Sequence, residues 1–223
     1  LKGAGSEAVA KLSSHSSPAV RLAAVVALRK LEDKSIAAFL SDADATVQLE
    51  TARAIHDVVT LHDLLPQLAT VSLDADSNPA LVHRVLNANF RLGGEGAKRV
   101  AAYAALDGAN EDMRVEAANM LADWAGPGEL CRVMNRYLPL DNRDIGPARE
   151  AIGANLPGLL AGPEQLTLAV IDAVKATDLK SAAEKMKEIA ESIKFDGNIR
   201  GTALEAYGKL SPESAADLIV QMV

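Results

Sequence analysis

One frame of apolar positions recurs six times along the chain. From Val20 it holds Val20, Ala23, Ala24, Ala27, Leu28 and Leu31, at offsets 0, 3, 4, 7, 8 and 11. Those offsets lie on one side of a helix with about 3.6 residues per turn. The frame returns from Val47 (Ala54, Ile55, Val58), Leu81 (Val85, Ala88, Leu92) and Met113 (Ala117, Met120, Leu121, Trp124). It returns again from Leu166 (Val170, Ala173, Val174) and Ile199 (Ala203, Ala206, Tyr207, Leu210). Repetition at steps of roughly thirty residues predicts stacked helical units, each burying its apolar side on its neighbours.

The unit reads as a first helix, a turn, and a second helix that carries the frame. First helices are predicted at Ser6–Ser13, Asp33–Leu40, Leu61–Val71, Gly96–Leu106, Gly128–Tyr137, Lys180–Ile193 and Ser211–Met222. Second helices are predicted to begin near Pro18, Ala45, Pro79, Glu111, Pro163 and Gly197. Three residues before the frame starts stand Ser17, Asp44, Asn78, Asn110, Pro163 and Asp196. All but the proline are N-cap residues, whose side-chain oxygen accepts a free N–H of the first turn. Pro18 and Pro79 follow at the first helical position, where a missing N–H costs nothing. Offset 7 is alanine in five of the six frames, which would let a partner helix come close.

The fold class is therefore all-α, a solenoid of about six to seven helical hairpins over residues 1–223 as a single array. The prolines and glycines of Leu138–Gly162 break the rhythm, so a bend or sub-array boundary is expected there, with one irregular helix near Gly146–Leu160. A start at Leu1 rather than Met, and an end in an apolar helix with no successor, suggest a piece of a longer protein. Aromatic residues make up only 3% of the chain, and strand-like alternation is absent, so a β-sandwich is disfavoured. A net charge of −7 disfavours a general nucleic-acid binder. A single cysteine, Cys131, excludes an internal disulfide framework and a cysteine-rich metal or haem site. Lying in the apolar run LCRVM, it reads as a small buried hydrophobe. No apolar run is long enough to span a bilayer.

The segments DATVQLETARAI, NEDMRVEAANML and SPAVRLAAVVAL, with Arg21, Arg114 and Arg200 one place after their frame starts, resemble HEAT repeats. The resemblance implies that these arginines meet turn aspartates in a ladder, for which Asp44, Asp112 and Asp196 are the matching candidates. Gln48, Val82 and Thr167 depart from that pattern, so the ladder would be discontinuous. Narrower still, RLAAVVALRKL, IAAFLSDADATVQLETARAIHD and RVLNANFRLGG resemble the HEAT segment of large exported bacterial proteins that join a sugar-dehydrogenase-like propeller to a cytochrome c domain. That likeness implies a spacer or docking module of a periplasmic or exported oxidoreductase. The chain itself has no C-x-x-C-H, so the likeness implies no c-type haem within this segment.

Candidate sites are sparse. Asp74, Asp76 and Asn78 match the opening of a calcium loop, but Pro79 and Val85 stand where glycine and a bidentate glutamate belong. They read as turn and cap residues. His15, His56, His62 and His83 lack the spacing of a helical zinc site and read as surface or partly packed. Gly93-Gly94-Glu95-Gly96 reads as a helix end and turn, and the serines at 13–17 as a turn without a nucleophile elbow. Arg84, Arg91, Lys98 and Arg99 form the one basic stretch of note. Within it His83, Arg84, Asn87 and Arg91 recur at helical spacing, and the resemblance places second helices on the concave face where partners bind. Those four are the expected partner-binding residues. Asn89 occupies a core offset and is expected to bond backbone and tie two repeats together; Trp124 is expected in the core.

No catalytic, metal-binding or cofactor-binding constellation emerges. The expected function is a non-catalytic protein-interaction scaffold, or a spacer within a larger protein whose partners are its own other domains or a separate protein. Two alternatives come from the same fold resemblance. One is a DNA glycosylase of the alkylpurine type, drawing on Asp123, Trp124 and the Arg84–Arg99 stretch. The other is a HEAT-type lyase that attaches bilins.

Overall fold

The computed structural model describes residues 2–214. Among the described residues the chain is all-helical, with no named strand. The α-helices are α1 (Lys2–Ala10), α2 (Pro18–Leu31), α3 (Ala45–Asp57), α4 (Leu65–Leu68), α5 (Pro79–Leu92), α6 (Gly96–Ala104), α7 (Glu111–Ala122), α8 (Gly146–Leu159), α9 (Glu164–Ala176), α10 (Ala183–Glu191) and α11 (Gly197–Leu210). Shorter 3-10 helices span Lys11–Ser14, Lys34–Phe39, Val59–Leu64 and Lys180–Ala182.

The frame-bearing helices α2, α3, α5, α7, α9 and α11 begin within a residue of the expected positions. Their caps follow the sequence with one correction, at Ser17. Asp44 accepts from the amides of Thr46 and Val47, Asn78 from Ala80, Asn110 from Met113, and Asp196 from Asn198 and Ile199. Ser17 makes no side-chain cap; its backbone carbonyl takes the Val20 and Arg21 amides, each at 3.2 Å. Pro163, without a side-chain acceptor, caps nothing.

Gly96–Leu106 forms α6 and most of Lys180–Ile193 forms α10, but two of the expected first helices are wound more tightly. Asp33–Leu40 becomes the 3-10 helix Lys34–Phe39, in which Ile36 and Phe39 are both fully buried. Leu61 and Leu64 repeat that spacing in Val59–Leu64. Three residues per turn place i and i+3 on one side, so two apolar groups three apart suffice to dock so short a piece. Gly128–Tyr137 is not a helix: Gly128 takes φ +78, and the chain folds into a hairpin closed by an antiparallel bridge between Leu130 and Tyr137. The expected helix Ser211–Met222 falls mostly outside the described residues.

The chain packs as two compact units. Among the described residues the first runs through Leu92 and includes Leu130–Tyr137; the second comprises Gly93–Glu129 and the described chain from Leu138 onward. The expected boundary at Leu138–Gly162 therefore lies inside the second unit, where the helix anticipated near Gly146–Leu160 is α8, packed on α6 and α9. The division comes instead at Leu92–Gly93, where Gly93 (φ +72) and Gly94 (φ +50) take left-handed conformations open to glycine.

In the first unit α2 packs on α3 and α3 on α5, around Leu28, Ile36, Phe39, Ile55, Leu61 and Leu68. In the second, α7 packs on α9 and α9 on α11, around Leu121, Trp124, Ile152, Leu166, Val174 and Tyr207. Each such side chain contributes about 1.5–3 kcal/mol by leaving water. The offset-7 alanines Ala54, Ala88, Ala173 and Ala206 are buried at these crossings, whereas Ala27 is only half-buried.

Asn89 performs as expected. Its Nδ2 donates to the Ala69 carbonyl at 3.0 Å and the Val85 carbonyl at 2.9 Å, both inside the first unit. Asn89→Ala leaves the Ala69 carbonyl buried without that donor, and a loss of about 1–3 kcal/mol is expected by urea unfolding. A change under about 0.5 kcal/mol would show that the bond does not tie α5 to the preceding helix.

The expected arginine ladder takes another form. Arg21 forks onto Asp42, with Nε and Nη2 donating at 2.7 and 2.8 Å, while Asp44 is spent on capping. Arg21 Nη1 also donates to the His15 carbonyl at 2.8 Å. Arg114 Nε donates to the Ala104 carbonyl at the end of α6 (2.8 Å), and Arg200 Nε to the Ala190 carbonyl near the end of α10 (3.0 Å). Asp112 is exposed in the first turn of α7, and Asp196 is a cap. Helix C-termini leave carbonyls without intrahelical donors, and a guanidinium on the next helix is placed to satisfy them.

Candidate functional site

The last turn of α3 ends in His56-Asp57, one residue past the core offset occupied by Ile55. His56 is fully buried, and both of its ring nitrogens face oxygen atoms. Nδ1 lies 2.9 Å from Asp57 Oδ1, and Nε2 lies 2.8 Å from Asn87 Oδ1 on α5. Two acceptors require two N–H donors, so this geometry describes an imidazolium. Arg84, one turn before Asn87, donates from Nε and Nη2 to the two Asp57 oxygens at 3.1 and 2.9 Å. Such a planar fork is the strongest form of ion pair.

Cys131, 2% exposed, comes to this cluster on the 130–137 hairpin, with Sγ 3.9 Å from Asn87 Oδ1. His56 and the backbone amides of Val133 and Met134 favour the ionised form of the sulfur. Arg84 and His56 bring two positive charges against the single negative charge of Asp57. Ionising Cys131 balances that excess. Burial alone would raise the thiol, but His56 and the two amides outweigh it and bring its pKa down to about 7. Burial alone would lower His56; Asp57 first, then Cys131 and Asn87, outweigh it and raise the imidazole to about 9. Burial opposes ionisation of Asp57 as well, yet His56 and Arg84 hold it down at about 2.

Further cations surround the cluster. His62 Nε2 bonds the His56 carbonyl at 2.9 Å; burial, followed by the charges of Arg91, His56 and Arg136, lowers its pKa. Burial also lowers the pKa of Arg91. Arg132 stacks on the Phe90 ring at 5.8 Å.

Of the four residues expected to form an open partner face, Asn87 is buried and turned onto His56, and Arg84 is committed to Asp57. His83 and Arg91 are half-buried. The four share α5, but two of them build the interior rather than a concave surface. Two sequence readings are corrected with them. His56 is neither surface nor partly packed, and Cys131, though buried, sits among polar groups off any helix. The signal available in the sequence was the pair His56-Asp57 at the end of one frame, opposite Arg84 and Asn87 one unit later. Nothing in the sequence tied Cys131 to them.

Elsewhere, Asp74 belongs to a turn, its carboxylate accepting from Ser77 Oγ at 2.7 Å. Among the described residues no group of three or more His, Cys, Asp or Glu side chains is gathered as metal ligands. Trp124 is fully buried, and the Arg143 guanidinium lies 4.2 Å from its ring centroid. No helix among the described residues is long and apolar enough to cross a membrane. Comparison with protein-family models, curated proteins and solved structures finds no match to this chain.

Proposed function

We propose that the chain is a HEAT-like α-solenoid serving, without catalysis of its own, as a protein-interaction scaffold or docking module of a larger protein. The observation that carries this reading is the order of packing. In each unit the frame-bearing helices contact one another in chain order, α2 to α3 to α5 and α7 to α9 to α11, as units of a repeat array do. The contact surface in this reading is the hairpin of the first unit rather than the α5 residues singled out in the sequence. Leu130 (54% exposed) and Tyr137 (65% exposed) face each other across its bridge, and the exposed Arg136 stands beside them. An exposed tyrosine with an aliphatic neighbour and an arginine is the composition of an interface anchor. The partner is a protein surface with an apolar patch and acidic neighbours, on another domain of the same polypeptide or on a separate chain. An exported parent oxidoreductase fits the narrower resemblance.

Replacing Tyr137 with a photoreactive phenylalanine analogue in the native polypeptide tests this directly. A cross-link to a defined protein surface is expected, and Arg136→Glu should weaken it about tenfold or more while leaving helicity unchanged. Cross-linking to solvent alone would remove the hairpin as a contact. Salt-sensitive binding to duplex DNA would instead revive glycosylase chemistry, although Trp124 is enclosed in the second unit's core.

A further inference from the structure

The second unit holds a groove between the end of α8 and α10. Helix α8 packs on α6 and α9, and α10 packs on α11, so each wall is braced from the far side. The sequence of α8 decides which way that helix leans. At Gly158 a Cβ would stand 3.2 Å from the Ala105 Cβ, just past the end of α6, so the glycine lets α8 close tightly there. Leu156 and Leu160 lie two residues to either side, on the nearly opposite face of a helix with about 3.6 residues per turn. Both are half-buried, and both line the groove. Ile189 of α10, 2% exposed, adds to the apolar wall. Past α10 the chain turns at once, Phe195 N–H donating to the Ser192 carbonyl at 3.3 Å, and the half-buried Phe195 ring comes back to the same groove. The space amounts to about 760 Å³. Sites that hold small molecules span roughly 300–1,000 Å³ and are mostly apolar with a few placed polar groups.

The charged side chains lining the groove are Lys185, Glu188 and Lys194. Lys185 Nζ donates to Glu188 Oε2 at 2.7 Å, one turn along α10, so those two charges offset each other. Lys194 is the surplus, and it is exposed at the lip. Its backbone N–H donates to Ser192 Oγ at 3.4 Å, which leaves the Ser192 hydroxyl its own hydrogen to donate. One surplus positive charge over an apolar wall matches a ligand with one negative charge on an apolar body. A second negative charge on the ligand would meet Glu188.

We infer that this groove binds a medium-chain fatty acid as its carboxylate. The hydrocarbon chain lies against Leu156, Leu160, Ile189 and Phe195, and the carboxylate accepts from Lys194 Nζ and the Ser192 hydroxyl. Burial of the chain supplies most of the affinity, and the lysine selects the sign of the head group.

Equilibrium dialysis of dodecanoate against the native chain, below the concentration at which the amphiphile forms micelles, tests the site. One dodecanoate per chain is expected, with a Kd of about 10 μM or tighter. Decanoate, shorter by two methylenes, should bind about tenfold more weakly, since each methylene leaves water on binding. Dodecyltrimethylammonium has the same chain length and the opposite charge, and should also bind about tenfold more weakly than dodecanoate. These measurements need no variant. Lys194→Glu, at an exposed position, should weaken dodecanoate about tenfold with an unchanged far-ultraviolet circular dichroism spectrum. No uptake of dodecanoate at up to about 1 mM would overturn the inference. So would uptake of several equivalents without saturation, or equal affinity for the cationic amphiphile. Unchanged affinity in Lys194→Glu would place the fatty acid elsewhere and overturn it as well. The groove belongs to the second unit and the proposed protein contact to the first, so the failure of one leaves the other standing.

Discussion

Asp57→Asn is expected to destabilise the first unit by about 3–5 kcal/mol, the cost of removing one member of a buried ion network. The substitution preserves shape and removes only charge. It leaves the fully buried His56 ring and the Arg84 fork, whose side chain is 14% exposed, without the carboxylate both address. An asparagine can turn its oxygen to one of them, and its amide N–H groups then face the other donor. His56 should respond by giving up its proton, because the bond to Asp57 is the strongest of the bonds that outweigh burial. Urea unfolding of wild type and variant near neutral pH measures the effect, with an unchanged m-value confirming that the folded states are comparable. The pH dependence supplies a second check. Asp57 is depressed to about 2 in the folded chain, so its contribution is present above the ordinary carboxylate range and is lost as pH falls toward about 2. The gap between the two proteins should therefore narrow on acidification. A difference below about 1 kcal/mol at neutral pH would mean that solvent screens the network and that Arg84 belongs to the surface after all.

The helices that the sequence specifies best are those whose signal is periodic. The frame of α2, α3, α5, α7, α9 and α11 repeats over eleven residues, and capping residues mark where it begins, so position and inward face could both be read. The intervening pieces carry a weaker pattern. Ile36 and Phe39, or Leu61 and Leu64, are three apart, a spacing that α and 3-10 helices share; packing decided between them. LCRVM looked helical for the same reason, until Gly128 and Asn135 in left-handed conformations turned it into a hairpin.

The arginines show a different limit. Their positions were legible, but their acceptors depend on which carbonyls a helix end leaves open, and that follows only from where the preceding helix stops. The candidate site lies furthest from the sequence. His56 meets Asn87 across 31 positions, and Asn87 meets Cys131 across 44. No local pattern encodes that meeting, because the hairpin carrying Cys131 packs with a unit other than the one that flanks it.

Ala54→Leu and Ala27→Leu occupy the same offset in consecutive frames and are expected to behave differently. Ala54 is fully buried on α3, the helix that packs against both α2 and α5. Three further carbons there must push a neighbouring helix away or take a strained rotamer, a loss of about 1–3 kcal/mol. Ala27, on α2, is half-buried, so a leucine can lay its extra carbons along the surface, with a change within about 0.5 kcal/mol. The sequence frame treats the two as equivalent, because periodicity reports which side of a helix faces inward and says nothing about how many neighbours stand there. Parallel urea titrations followed by far-ultraviolet circular dichroism separate the possibilities. Equal losses would mean that α2 is enclosed at Ala27 as closely as α3 is at Ala54. No loss at either position would mean that the α3 crossings are loose, and the alanine repeat would then reflect helix propensity rather than close approach. A loss confined to Ala54→Leu would place the tightest packing of the first unit at α3, the helix whose last turn holds His56 and Asp57.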